Sequence, residues 1–234
     1  MRRRLSAVAL LVSLALAATA QICAGAPLPA AQSENQNALV AKAQAALDAK
    51  RWPDAEAALK QLLSSEPRWE YSEALGAAQF NQGHYADSLE SYQRAIDLAE
   101  KNASPAAIAQ MYTTIGNANL KLKKNDAAIA AYTKAASLDP NPAIAYFNLC
   151  AVMFNMGQAA AKTVPFCDKA IAADPKKADA YFIKGSSLYG EGALDKSNKY
   201  VVPPAAVEAL KQYLVLAPAG PHVADIKLML DALK

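Results

Sequence analysis

The chain has 234 residues, a formal net charge of +3, 53% hydrophobic residues and only 7% aromatic residues. Its first 20 residues contain three Arg and no Asp or Glu, so a chain without them would have a net charge of 3 − 3 = 0. A neutral protein has no basic field to attract phosphate backbones or anionic lipid headgroups, which argues against nucleic-acid binding.

The N-terminus has the pattern of a secretory signal peptide. Residues 2–4 are arginines and precede an uncharged apolar run over 5–18. The A-x-A motif at 18–20 predicts a signal peptide over residues 1–20, and the motif at 24–26 gives an alternative cut after residue 26. We expect export to the periplasm or the exterior. A membrane anchor is less favoured, because the apolar run is shorter than the ~20 residues that span a bilayer.

Residues 21–35 are rich in Ala, Pro, Ser, Gln and Asn and are predicted to be a flexible spacer. A helical pattern then repeats along the chain. One small residue marks the same place in each copy, at spacings of 33, 40, 34 and 35: Ala43, Gly76, Gly116, Cys150 and Gly185. Four of the five copies close on a proline, which cannot continue a helical hydrogen-bond ladder.

The second helix of each copy carries a residue suited to face that small marker. These residues are Leu59, Tyr92, Tyr132, Cys167 and Leu210. A small residue opposite a bulky one lets two antiparallel helices pack closely. The pattern therefore predicts a series of helical hairpins.

A period of about 34 residues with these small, bulky and closing-proline positions resembles the tetratricopeptide repeat (TPR) family. The resemblance implies an all-α, right-handed superhelical solenoid of antiparallel helix pairs. Five repeats fit, at about 36–68, 69–108, 109–142, 143–177 and 178–220. Residues 221–234 are amphipathic and are predicted to form a C-terminal capping helix, which terminal repeats require.

Three departures from the repeat carry structural expectations. Ser104-Pro105 predicts a helix start, with Ser as N-cap and Pro at the first helical position. Pro165 stands where a second helix should start, so residues 162–164 are expected to lie outside that helix. Extra residues at 195–204 are predicted to form a loop or short hairpin.

Cys150 and Cys167 lie in the fourth repeat, at the small and the bulky packing positions. Both are expected to be buried and could be neighbours. In an exported protein they could form a disulfide. The alternative is a pair of free thiols in the core, because Cys also packs as a small hydrophobic residue.

In TPR proteins the first helix of each repeat lines the concave face. The resemblance places there the residues three before, one after and four after each small marker, here called the inward positions. They are Val40, Gln44, Leu47, Glu73, Ala77, Phe80, Thr113, Asn117, Leu120, Phe147, Ala151, Phe154, Phe182, Ser186 and Tyr189.

From these positions and one neighbouring amide we predict a partner-binding groove. Its residues are Thr113, Asn117, Phe147, Asn148, Phe154, Phe182, Ser186 and Tyr189. Exposed rings beside amides would suit an extended or helical peptide. The alternative is that the aromatic row is covered by the capping helix or by the loop at 195–204.

Other activities are disfavoured. TPR domains that grip a carboxylate tail need Lys and Arg, and the corresponding positions hold Thr113, Asp179 and Ile183. His84 and His222 are far apart in sequence and have no zinc-ligand spacing. No phosphate loop, nucleophile elbow or catalytic carboxylate pair can be placed. We therefore expect no enzyme activity, no cofactor and no small-molecule substrate.

The expected function is a non-catalytic scaffold of the cell envelope that binds a peptide or partner helix in its groove. The alternative is a self-assembling structural component of envelope biogenesis machinery. The partner is expected to be a protein or peptide, and membrane contact is expected only through an uncleaved signal segment.

Overall fold

A computed structural model describes residues 34–99 and 102–234. The predicted signal peptide and residues 21–33 of the predicted spacer lie outside the described residues. The first helix begins at Glu34, so the last two residues of the predicted spacer are helical instead.

The described residues form an all-α fold with one short hairpin, as the repeat pattern predicts. They divide into two compact lobes. The N-lobe, up to Pro140, contains α1 Glu34–Asp48, α2 Trp52–Ser65, α3 Trp69–Asn81, α4 Tyr85–Ala99, α5 Pro105–Lys121 and α6 Asn125–Leu138. The C-lobe, from Asn141, contains α7 Ala143–Asn155, α8 Ala160–Ala173, α9 Ala178–Tyr189, β1 Ala193–Leu194, β2 Tyr200–Val201, α10 Pro204–Leu216 and α11 Val223–Asp231.

Within each lobe the helices pack as consecutive hairpins: α1 with α2, α3 with α4 and α5 with α6, then α7 with α8 and α9 with α10. The glycine markers explain how closely they approach. A Cβ placed on Gly76 would lie 2.8 Å from the ring of Tyr92, and one on Gly185 would lie 2.7 Å from Leu210. A Cβ on Gly116 would overlap the ring of Tyr132. Only glycine leaves room for these buried side chains.

The turns inside the first four hairpins share one backbone feature. The residue seven places after each small marker has a positive φ: Lys50 (54°), Gly83 (83°), Lys123 (60°) and Gly157 (66°). A left-handed residue of this kind ends a helix, and glycine adopts it without strain. The second and fourth hairpins therefore use the favoured residue, while the first and third place a lysine in a strained conformation.

The predicted start of α5 is confirmed. Pro105 is its first residue, and the Ser104 hydroxyl accepts a hydrogen bond from the Ala107 N–H at 3.2 Å. This contact satisfies one of the backbone donors that a helix N-terminus leaves open.

The expectation for Pro165 is wrong. Residues 162–164 lie inside α8, which begins at Ala160 and runs through Pro165. The start of this helix is held from another element, because the Glu191 carboxylate accepts a hydrogen bond from the Ala160 N–H at 3.1 Å. Pro165 lacks an N–H for the Ala161 carbonyl, and the helix tolerates that loss near its first turns because tertiary contacts fix its position.

The insertion of the fifth repeat forms a hairpin in which β1 pairs with β2 antiparallel. Its turn is organised by Asp195, whose Oδ1 accepts hydrogen bonds from Ser197 N–H at 2.8 Å and Lys199 N–H at 2.9 Å. These bonds hold the pKa of the Asp195 carboxyl below its usual value. The hairpin positions Tyr200 against the end of α9.

Candidate functional site

The inward positions of the N-lobe lie on α1, α3 and α5. Most of them remain partly exposed: Val40, Gln44, Glu73, Phe80, Thr113 and Leu120. The other three are buried, namely Leu47, Ala77 and Asn117. The surface they form therefore combines apolar groups with an amide, a hydroxyl and one carboxylate.

Glu73 is the only charged residue among the inward positions of either lobe. It is half-buried, and no hydrogen bond or ion pair joins it to another described residue. Burial raises the pKa of its carboxyl to about 7, and the nearby Glu70 carboxylate adds to the rise. Glu73 is predicted to lie on the concave face but is not among the predicted groove residues. The signal was present in the sequence, because Glu73 is the single charged residue at the inward positions.

No basic side chain of the described residues forms an ion pair with Glu73. Arg68 contacts Glu70 at 3.2 Å and lies 4.0 Å from Glu66, so its guanidinium is already engaged. Tyr92 on α4 is fully buried, and burial, with the negative charge of Glu73, raises the pKa of its phenol. The carboxylate is thus placed among uncharged or acidic groups.

The amide of Asn117, predicted to bind a partner, supports the core of its own repeat. Its Oδ1 accepts a hydrogen bond from the Tyr132 hydroxyl at 2.7 Å. The adjacent Thr113 donates its hydroxyl to the Ala109 carbonyl at 3.0 Å and stays partly exposed. Of the two groove residues predicted in the N-lobe, only Thr113 therefore keeps exposed surface.

The predicted row of exposed rings in the C-lobe is wrong for Phe147 and Phe182, which are only 5% and 6% exposed. The ring of Phe182 stacks on the imidazole of His222, with centroids 3.8 Å apart and planes within 4°. The Lys177 ammonium lies over Phe147, 4.3 Å from its ring centroid. The chain's own C-terminal residues cover Phe182, because a large aromatic ring is stabilised by burial.

Phe154 and Tyr189 are partly covered as well. Phe154 meets Phe182 edge to face, with centroids 6.4 Å apart. Tyr189 packs against the hairpin residue Tyr200, whose hydroxyl donates to the Tyr189 carbonyl at 2.7 Å. Both side chains keep some exposed surface. The capping segment and the hairpin thus cover much of this row, which was the alternative left open by the sequence.

The remaining predicted groove residues of the C-lobe are polar and poorly placed for a ligand. Asn148 is buried, and its Nδ2 has no hydrogen-bond partner among the described residues. The hydroxyl of Ser186 is closed off from solvent in the same way. His222, which stacks on Phe182, has a pKa lowered by burial, against the opposing charges of Asp179 and Asp225.

Cys150 and Cys167 are joined by a disulfide that links α7 to α8, with 5.0 Å between their Cα atoms. Both sulfurs are fully buried. The bond occupies the place where the neighbouring repeats put a small residue against a bulky one. In the fourth repeat a covalent link therefore replaces the packing contact that closes the other hairpins.

Within residues 34–99 and 102–234, no group of three or more His, Cys, Asp and Glu side chains could hold a metal ion. In the same part of the chain, every helix is too short or too polar to cross a membrane.

Comparison with protein-family models places TPR sequences in both lobes. Residues 40–105 match a model described as tetratricopeptide repeat, and residues 116–157 match one described as TPR repeat. These matches correspond to α1–α4 and to much of α5–α7.

Solved structures of similar fold include a crystal structure of MamA. It is 25% identical, with a TM-score of 0.63 over 75% of this chain and 94% of that chain. MamA from Desulfovibrio magneticus RS-1 is 18% identical, with a TM-score of 0.65 over 82% and 99% of the two chains. A structure of YrrB, described as a TPR protein with an unusual peptide-binding site, is 17% identical, with a TM-score of 0.63 over 83% and 94%. The last two likenesses concern the fold alone.

A curated relative is Protein O-mannosyl-transferase TMTC1 of Mus musculus, 32% identical over 97 residues. The match covers 41% of this chain but only 10% of that protein, so it does not extend to that protein's transferase activity. The two family-model matches, the helical hairpins and the similar TPR structures agree: residues 40–105 and 116–157 carry tetratricopeptide repeats, and the described residues have the fold of TPR proteins.

Proposed function

We propose that this protein is a non-catalytic interaction module that holds a segment of a partner protein against the inward positions of its N-lobe. TPR proteins bind protein or peptide partners, and their fold is generally an interaction scaffold. The fine location within the chain is our inference from the distribution of exposed side chains.

The observation that carries the proposal is the contrast between the lobes. In the C-lobe, Phe147 and Phe182 are buried by residues of the same lobe. In the N-lobe, the residues at the same inward position, three before each marker, remain partly exposed: Val40, Glu73 and Thr113. Phe80 and Leu120, four after their markers, are partly exposed as well, as Phe154 and Tyr189 are in the C-lobe. A surface that combines partly exposed apolar side chains with polar groups is stabilised when a partner covers it.

We further propose that the protein is exported. The N-terminal pattern of residues 1–20 is that of a signal peptide. The buried disulfide between Cys150 and Cys167 is a second, independent support, because such bonds form and persist in oxidising compartments. Cell fractionation with N-terminal sequencing tests this; a full-length chain retained in the cytoplasm with both thiols free would contradict it.

The binding proposal is tested by crosslinking and affinity capture from the envelope fraction of the source cells. The variant Phe80→Ala/Leu120→Ala should lose the captured partner while keeping its helical circular dichroism. Leu194→Ala, which truncates a 61% exposed side chain on the hairpin, is the matched control and should retain the partner. Equal capture by both variants would exclude the N-lobe surface.

Self-assembly remains the second candidate because α10 and α11 carry two strongly exposed apolar side chains, Val215 and Leu228. Light scattering distinguishes the two proposals. A protein that is monomeric at micromolar concentration is not a self-assembling scaffold. A larger assembly that Val215→Asp/Leu228→Asp dissolves would support self-assembly.

A further inference from the structure

Glu73 is a carboxylate without an internal partner on the proposed binding surface. The eight other inward positions of the N-lobe carry no charge, and no described residue bonds to Glu73. Removing a carboxylate from water without a compensating partner is costly, so such a group is expected to be paired or neutralised. Among residues 34–99 and 102–234, no cation forms an ion pair with Glu73, and Arg68, the nearest basic residue in sequence, is bound to Glu70.

The side chains around Glu73 are complementary to a partner segment that combines one cation with apolar residues. Phe80 lies seven residues further along α3, or about 10.5 Å at the rise of an α-helix. An extended peptide covers that distance in about three residues. Leu120, at the equivalent inward position of α5, adds a second apolar contact.

We propose that the N-lobe recognises a partner segment that carries a lysine or arginine, whose cationic group binds the Glu73 carboxylate. An apolar residue about three positions away along an extended segment contacts Phe80 and Leu120. This rests on the proposed function and specifies the chemistry of its partner. The selectivity is opposite to that of a TPR domain that grips a carboxylate tail with basic residues.

The pairing would also explain why a half-buried carboxylate is present at all. An ammonium or guanidinium group at hydrogen-bond distance favours the ionised carboxylate and would lower the raised pKa of Glu73 on binding. The unbound protein bears the cost of the isolated carboxylate, and the partner removes it. Specificity follows, because a segment with a neutral residue at that place leaves the carboxylate unpaired.

The test uses two degenerate nonapeptide libraries with a fixed Leu three positions after either Lys or norleucine. Fluorescence anisotropy measures their binding to the purified protein. The Lys library should bind at least about tenfold more tightly, as expected for a hydrogen bond to a charged group. Glu73→Gln should abolish this preference, and Glu90→Gln, an exposed carboxylate on α4, should keep it.

Each outcome decides a different claim. If both libraries bind equally and Phe80→Ala/Leu120→Ala weakens both, the proposed function stands and the role of Glu73 is wrong. If neither library binds, the inference about Glu73 is wrong, and the capture experiment decides the proposed function separately. A preference that persists in Glu73→Gln also overturns the inference. As a second measurement, the carboxyl carbon resonance of Glu73 should report a lower pKa with the Lys library and an unchanged pKa with the norleucine library.

Discussion

Replacing Glu73 by Gln should raise the free energy of unfolding of the unbound protein, but only at pH values above about 4.5. In the folded chain the pKa of this carboxyl rises from 4.5 to about 7. Between these values the folded state binds more protons than the unfolded state, so the free energy of unfolding falls as pH rises. Above about pH 7 the full penalty is present, and below 4.5 it is absent because both states are protonated.

The magnitude follows from the two pKa values. A difference of 7 − 4.5 at about 1.36 kcal/mol per pH unit gives about 3 kcal/mol. Gln keeps the shape of the side chain and carries no charge. Glu73→Gln should therefore raise the free energy of unfolding by about 3 kcal/mol at pH 8, with the gain shrinking toward zero near pH 4.5.

Urea unfolding followed by circular dichroism, at half-unit steps from pH 4.5 to 8.5, measures this difference. Glu90→Gln is the control and should show no comparable pH-dependent gain, because Glu90 is exposed. A Glu73→Gln gain that is independent of pH, or a loss at pH 8, would refute the reasoning. In that case the Glu73 carboxylate is either well solvated or already paired, and it does not need a cation from a partner.

Three further predictions concern the packing. Replacing Cys150 and Cys167 together by Ala should lower the free energy of unfolding by about 3 kcal/mol, which is the chain-entropy value for a link across 17 residues. Urea titrations of the reduced wild type should show a similar loss. Tyr132→Phe should lower the free energy of unfolding by about 1–2 kcal/mol at neutral pH, because the buried Asn117 oxygen loses its hydrogen-bond donor. An unchanged urea midpoint would show that a water molecule replaces the Tyr132 hydroxyl. Lys123→Gly should raise the thermal midpoint, by relieving about 1 kcal/mol of strain at φ 60°, and a lower midpoint would contradict the strain argument.

The helical hairpins could be predicted from sequence because their signals are local. Gly116 and Tyr132 reveal the close contact between paired helices, and Ser104-Pro105 reveals where α5 starts. Each of these features depends on residues within one helix start or one helical hairpin, so its signal lies in a short stretch of sequence. The inward positions, including Glu73, followed from the resemblance to TPR proteins.

Pro165 shows where local reasoning fails. A proline disfavours the interior of a helix by its own chemistry, yet α8 continues through it. Its first turn is held by Glu191, which is 31 residues from Ala160. No local pattern around Pro165 contains that contact.

By itself, therefore, the sequence determined the repeat, the all-α class and the residues that face one another within each hairpin. Only the tertiary structure decided which inward side chains remain open. Phe182 is closed by His222, and Tyr189 meets Tyr200 of the hairpin, whereas Glu73 stays half-buried and forms no ion pair with another described residue. The reason is physical. The helical period specifies the direction of a side chain, but the burial of that side chain depends on which distant segment packs favourably over it.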